Sequence, residues 1–291
     1  MVKKRTPADV LCDTLIYFLL GCIFLITIYP FWNQVVTALS SKQEEAITLL
    51  PKGLSFGSFL LSLDYPGLWS GYRNTILRTV CGVLLGTTVT ALLAYPLAKA
   101  QLPFNRFFTA LVLFTMLFSG GLIPNYLLIK SLGLINTFWA LILPGLTGAF
   151  NVFIMRNFFR SLPDSLEESA QIDGAGYFSI FTKIILPISS PVLATVSLWI
   201  AVAHWNAWFD SMIYIQDPHK QVLQVILRKI IIENNLNDME RMTQGVPLKD
   251  LFSTKQLQAT VICLSVIPML IVYPFVQKYF VKGIMVGAVK G

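Results

Sequence analysis

The chain has 291 residues, 55% of them hydrophobic and only 13% charged, with a mean hydropathy of +0.67. Soluble domains carry about 25% charged residues, so a soluble globular class is excluded, and the length holds about six apolar spans of roughly 20 residues each. A formal charge of +7 would suit nucleic acid or an anionic membrane, but the cations are scattered at the ends of apolar runs and no nucleic-acid motif accompanies them, which points to a bilayer and to no nucleic-acid partner.

Lys3, Lys4 and Arg5 precede an apolar run in the manner of a signal peptide. The run is too long and lacks a clean small-residue cleavage site, so an uncleaved first span is expected. That span covers about Thr14 to Leu39, with a kink expected at Pro30. Ser40 to about Tyr72 is mixed and turn-rich, with Pro51, Gly53, Gly57, Pro66 and Gly67. Tyr65, Trp69 and Tyr72 suit an interfacial position, which predicts short surface helices.

The second span runs from about Asn74 to Ala98, and Gly82, Gly86, Thr87 and Ala91 mark a close-packing face along it. A third, about Phe107 to Ile129, is broken by Ser119-Gly120-Gly121 and Pro124. A fourth, about Thr137 to Phe159, is broken by Pro144-Gly145 and Gly148. Freed backbone groups are tolerated in lipid only beside protein or a watery cavity. Spans three and four are therefore expected to line something, with ordinary kinked packing as the alternative.

Between spans four and five lies an acidic interruption with Asp164, Glu167, Glu168 and Asp173. Pro163 to Ile172 reads as a short helix, because Pro suits the first turn, carboxylates favour the helix N-terminus and Gly174 can adopt the geometry that stops it. On these features alone it is either a solvated loop helix or a cytosolic contact element. The fifth span covers about Ile188 to Asp210, a hydrophilic loop takes 211–255, and the sixth span covers Gln256 to about Val281. Within that loop, Leu223 to Ile231 is expected to form a surface helix, either meeting a partner or serving as a packed cover. With no repeat and no low-complexity tract, a single transmembrane domain over 1–291 is the simplest organisation.

Six spans place the N-terminus, the turn between spans two and three, the acidic loop and the C-terminus on one side. About eleven cations lie there, against about five in the first and third connections and about six in the 211–255 loop. Long loops cross largely regardless of charge, so the short ends decide, and the termini and acidic loop are placed in the cytosol.

No catalytic or metal constellation stands out. His204 and His219 belong to no zinc or triad spacing, and no phosphate-binding loop occurs. Cys12, Cys22, Cys81 and Cys263 sit in or beside apolar segments and read as small hydrophobes. The densest aromatic and polar group is His204 to Asp210, with Trp205, Asn206, Trp208 and Asp210 as candidate substrate contacts. Aromatic faces suit sugar C–H surfaces, and Asn and Asp suit hydroxyls; an interfacial aromatic belt explains the same residues. Asn125, Thr147 and Asn151, in or near the broken spans, are further candidates for the substrate pathway, with helix–helix hydrogen bonding as the alternative.

The acidic segment carries a resemblance. Glu168-Ser169-Ala170, then three residues, Gly174, nine residues, and Ile184-x-Leu186-Pro187 resembles the cytoplasmic EAA loop of ABC importer permeases, departing only in Ser169 for an alanine. Arg156 to Pro163, Ser190 to Thr195, Tyr72 to Thr75, and Phe280 to Gly283 with the ending Lys290-Gly291 are similar to the carbohydrate-uptake permeases related to the maltose system. Ser119 to Pro124 and Leu132 to Leu134 resemble a subgroup serving complex oligosaccharides, including aldouronates. This implies an all-α integral membrane protein of the type I importer permease fold, with about six transmembrane helices and a cytoplasmic coupling helix in a loop at about 161–187. It implies a multi-pass protein of the cytoplasmic membrane, paired with a second homologous permease, two ATPase subunits and an extracytoplasmic sugar-binding protein. No cofactor is expected on this chain; ATP and Mg belong to the ATPase subunits. The coupling residues carried over are Glu167, Glu168, Ser169, Ala170, Asp173, Gly174, Leu186 and Pro187, with Glu168 for polar contact, Ala170 for close packing, Gly174 for the turn, and Leu186 and Pro187 starting the return to the membrane. A permease for another solute class and a gradient-driven secondary transporter are the alternatives.

Overall fold

A computed structural model describes residues 7–41, 49–51, 53–65, 67–232 and 252–288. Among these residues no strand forms, apart from one isolated antiparallel bridge between Ser40 and Leu54. The cationic start Lys3 to Arg5, the loop residues 233–251 and the end Lys290-Gly291 lie outside the described residues. The chain forms two compact units, residues 1–66 with 227–267 and residues 67–226 with 268–291.

In the first unit, α1 (Pro7–Leu39) is 33 residues long, about 50 Å at the α-helical rise. It continues through Pro30 as one helix. Its apolar side chains from Val10 to Phe31 are mostly exposed, as expected where lipid or another chain replaces water. Among its described residues the mixed segment supplies the short helix α2 (Gly57–Leu63). Polar groups tie the ends together, each satisfying a buried donor or acceptor. The Ser58 hydroxyl donates to the Ala38 carbonyl at 3.0 Å, the Gln256 amide donates to the Ser40 carbonyl, and the Thr260 hydroxyl donates to Ser58 at 3.0 Å.

The second unit is built on α3 (Leu68–Ala98), which begins six residues before the predicted second span. Gly67, at φ 85°, turns the chain into it. Its buried face repeats at helical spacing through Gly71, Thr75, Arg78, Gly82, Gly86, Thr90 and Ala94. Small residues there admit close neighbours: a Cβ on Gly71 would meet the Leu223 backbone, and one on Gly86 would lie 2.8 Å from the Leu146 carbonyl oxygen. The last carbonyls of α3, which have no partner inside the helix, are taken by side chains. Asn105 donates to Leu97 and Lys99 at 3.1 and 2.8 Å, and Arg156 donates to Leu97 at 2.8 Å.

Three spans are broken. Helix α4 (Asn105–Leu117) and α5 (Leu122–Ser131) meet at 112°. The break falls at Ser119-Gly121, while Pro124 lies inside α5, in the first turn where its missing N–H costs nothing. Two 3-10 turns at Phe138–Leu141 and Leu143–Gly145 precede α6 (Ala149–Arg160), with a bend of 53°. After α7 (Ser165–Ile172) comes α8 (Tyr177–Ile188), which holds a π turn over Phe181–Ile185 and meets α9 (Ser190–Asn206) at 81°. With α1, α3 and α12 (Thr254–Ala288, 35 residues), these make six apolar elements among the described residues, in the predicted order.

One expectation for the region after α9 is corrected. The predicted fifth span stops at Asn206 rather than Asp210, and a separate short helix, α10 (Phe209–Tyr214), follows. Helix α11 (Leu223–Ile232) forms where a surface helix was predicted, but Leu223, Val225, Ile226, Leu227 and Ile230 are all buried. Its apolar residues recur at helical spacing, so the segment packs, in keeping with the cover alternative. The Leu223 N–H donates to the Thr75 hydroxyl at 2.8 Å.

Candidate functional site

The acidic segment is a helix held at both ends. Regular α-helix begins at Ser165, two residues later than predicted, because Leu166 and Glu167 first bond back to Pro163 and Asp164 in three-residue turns. The end falls as expected. Gly174 has φ 81°, its N–H donates to Gln171 at 3.0 Å, and the Ala175 N–H reaches back to Ala170 at 2.9 Å. These two bonds are the paired closure that a left-handed glycine makes possible after a helix.

The two neighbouring glutamates face opposite ways. Glu167 is 8% exposed and forms an ion pair with Lys99, and it accepts a hydrogen bond from the Tyr95 hydroxyl at 3.4 Å. Ala170, one turn on, is buried in the cluster that holds Tyr95, Phe159, Phe181 and Ile185. The outer face carries Glu168, Ser169, Ile172 and Asp173, all exposed, with Ile172 at 86%. Ser169 turns its hydroxyl back to the Ser165 carbonyl at 2.9 Å. Leu186 packs at the edge of the same core and Pro187 is exposed. Both lie within α8, and the sharp turn into α9 comes at Ser189. Ala170 makes its close packing within this chain's own core.

A second site lies inside the span bundle. A cavity of about 570 Å³ is lined by residues from α3, the broken fourth span, α9 and α10, among them Arg78, Thr147, Asn151, Trp199, His204 and Asp210. Arg78 is the centre of its polar wall. Its guanidinium pairs with both carboxylate oxygens of Asp210 and donates from Nε to His204 Nδ1 at 3.2 Å. The imidazole therefore accepts at Nδ1 and carries its proton on Nε2. The lining also holds an aromatic pair, Phe150 and Trp199, at 5.6 Å and 36° between rings. Such a surface can hold a flat, hydroxyl-bearing ligand by stacking and hydrogen bonding.

Of the predicted pathway residues, Thr147, Asn151 and Asp210 line this cavity, and Thr147 also bonds to Thr90 at 2.9 Å. The other four are elsewhere. Asn125 is exposed on α5, and the Asn206 amide donates to the Val202 carbonyl of its own helix at 3.0 Å. Trp205 is buried away from the cavity lining, and Trp208 packs on Leu141, Ile215, Val222 and Val225. A run of seven consecutive residues crosses a helix end and points in every direction, so its density in sequence does not become density in space. Arg78, Phe150 and Trp199 were missed. Arg78 carried a readable signal, since an ionisable residue inside a span is a site candidate by default. Among the described residues no group of three His, Cys, Asp or Glu side chains is placed to hold a metal ion.

Residues 67–286 match the family described as the binding-protein-dependent transport system inner membrane component. The chain is 39% identical over 286 residues to the polygalacturonan/rhamnogalacturonan transport system permease protein YtcP of Bacillus subtilis (strain 168), covering 97% of this chain and 99% of that protein. It is also 39% identical over 291 residues to Protein LplC of the same organism, covering 99% and 97%. Among solved structures it is similar to a chain of a bacterial ABC transporter involved in the import of the acidic polysaccharide alginate, with a TM-score of 0.87, 34% identity, and coverage of 95% of this chain and 99% of the other. The match takes in α3, α7 and the elements that line the cavity, and the chain belongs to the family of binding-protein-dependent transport system inner membrane components.

Proposed function

We propose that this inner-membrane permease imports an oligosaccharide of the uronate-containing class, delivered by an extracytoplasmic binding protein and driven by ATP hydrolysis on separate subunits. The substrate class is supported by the likeness to a polygalacturonan/rhamnogalacturonan transport system permease and to an alginate importer. The cavity fits it, with an aromatic pair for sugar faces and Thr147 and Asn151 for hydroxyls.

The observation that carries the mechanism is α7. Its inner face is tied down by Glu167 and Ala170 and its outer face presents Glu168, Ser169, Ile172 and Asp173. In this reading the outer face docks on an ATPase subunit in the cytosol, where both chain termini also lie. ATP and Mg are bound there and not on this chain. A second, homologous permease completes the path, and closure of the ATPase pair swings the helices between inward- and outward-facing states.

Reconstitution of the chain with a second permease, the ATPase pair and the binding protein tests this. Labelled oligogalacturonides are expected to enter vesicles only with ATP and binding protein together. Uptake by this chain alone on an ion gradient would overturn the reading, and uptake of neutral oligosaccharides in preference would overturn the substrate class.

A further inference from the structure

We propose that Glu167 and Lys99 form the joint that makes α7 and α3 a single moving body and so carries displacement of α7 to the cavity. The inference rests on the permease reading above and adds the residues through which the load passes.

Glu168 is exposed and can meet a partner, whereas Glu167 is turned inward against the last turn of α3. There it has two partners on one helix. The Lys99 ammonium pairs with its carboxylate, and the Tyr95 hydroxyl donates to it at 3.4 Å. The ammonium also lies 5.1 Å from the centre of the Tyr95 ring. Below the polar contact, Ala170 sits in the cluster where Tyr95 packs on Phe181 at 4.9 Å and on Phe159 at 6.2 Å. Partly buried charges are screened weakly, so the attachment is both polar and apolar and resists sliding.

Lys99 caps the end of α3, and from Ala98 the helix runs back through Pro96 to Arg78, 20 residues away and thus about 30 Å. Arg78 holds Asp210 and His204 on the cavity wall. Gly82 and Gly86 keep α3 tight against its neighbours between the two ion pairs. Closely packed helices shift as units and do not deform locally. A push on the outer face of α7 therefore arrives, through Glu167 and Lys99, at the wall that Arg78 organises.

The test uses the assembled importer. Glu167→Gln, Lys99→Met and the exchange Glu167→Lys with Lys99→Glu are compared for the ratio of ATP hydrolysis with and without sugar-loaded binding protein. Assembly is followed by size-exclusion chromatography. Each single change is expected to lower the ratio about tenfold, within the usual range of a coupling free energy, and the exchange to restore most of it. Single variants with the unaltered ratio would overturn the joint. So would an exchange variant that assembles without coupling, or one that does not assemble, because a joint made of this pair tolerates its reversal. If the unmodified complex shows no stimulation at all, the permease reading fails instead.

Discussion

His204 occupies the space that a side chain on Gly82 would need: a Cβ built there overlaps the imidazole ring. The ring cannot withdraw freely, because its Nδ1 accepts from Arg78 at 3.2 Å. Gly82→Ala is expected to cost about 1–3 kcal/mol, the usual range for overpacking, and to lower the midpoint of thermal unfolding in detergent. Gly86→Ala should behave alike, since its neighbour is a backbone carbonyl. Gly145→Ala is the control, with nothing within 4 Å of its Cβ, and should leave the midpoint unchanged.

The Arg78–Asp210 pair makes a different prediction. The Arg78 side chain is 3% exposed and that of Asp210 is 29% exposed, so solvent screens one partner in part. Asp210→Asn leaves the guanidinium facing a weaker partner and should destabilise the chain by roughly 2–3 kcal/mol, below the full penalty for breaking a wholly buried pair. Replacing both, with Arg78→Met and Asp210→Asn, should recover part of that loss, because no unpaired charge remains. A double-mutant cycle on thermal stability measures the difference, and additive losses would show that the two residues do not act as a pair.

How much of this was legible in the sequence follows from what is local and what is not. Gly174 as a helix stop, the break at Ser119-Gly121 and the bend before α6 are set by backbone chemistry within a few residues. Adjacent Glu167 and Glu168 hold a partly readable signal, as Glu167 and Ala170 share one face at a spacing of three. Arg78 and Asp210 are 132 residues apart, and no spacing rule links them. Trp205, Asn206 and Trp208 do not line the cavity for the converse reason: proximity along the chain says nothing about direction once the helix ends at Asn206.

Gly174 and Glu168 separate strain from contact. At φ 81° a side chain is strained whatever the space around it. Gly174→Asp should cost about 1–2 kcal/mol locally and loosen the closure made by the N–H groups of Gly174 and Ala175. Glu168 is exposed, and Glu168→Lys should leave insertion and thermal stability unchanged. Both should abolish hydrolysis stimulated by the binding protein. Hydrolysis assays beside thermal unfolding on the same preparations check this, and full stimulation in Glu168→Lys would remove the outer face of α7 from the mechanism.

Phe150 and Trp199 differ from Trp208 in what they touch, and their replacements should differ in what they change. The first two form the aromatic wall of the cavity, and Phe150 is 53% exposed in the isolated chain, so little of its area supports the fold. A stacking contact is worth about 1 kcal/mol beyond area burial, equivalent to roughly a fivefold change in affinity. Trp199→Ala and Phe150→Ala should therefore raise the concentration of sugar-loaded binding protein giving half-maximal uptake, or lower the maximal rate, by about that factor, with thermal stability little altered. Trp208 packs on Leu141, Ile215, Val222 and Val225. Its replacement by alanine should lower stability by about 3 kcal/mol and leave the preference among oligosaccharides unchanged in whatever complex still assembles. Uptake of a charged and a neutral oligosaccharide by the three variants, each alongside its unfolding midpoint, distinguishes a wall that meets sugar from one that only closes the bundle.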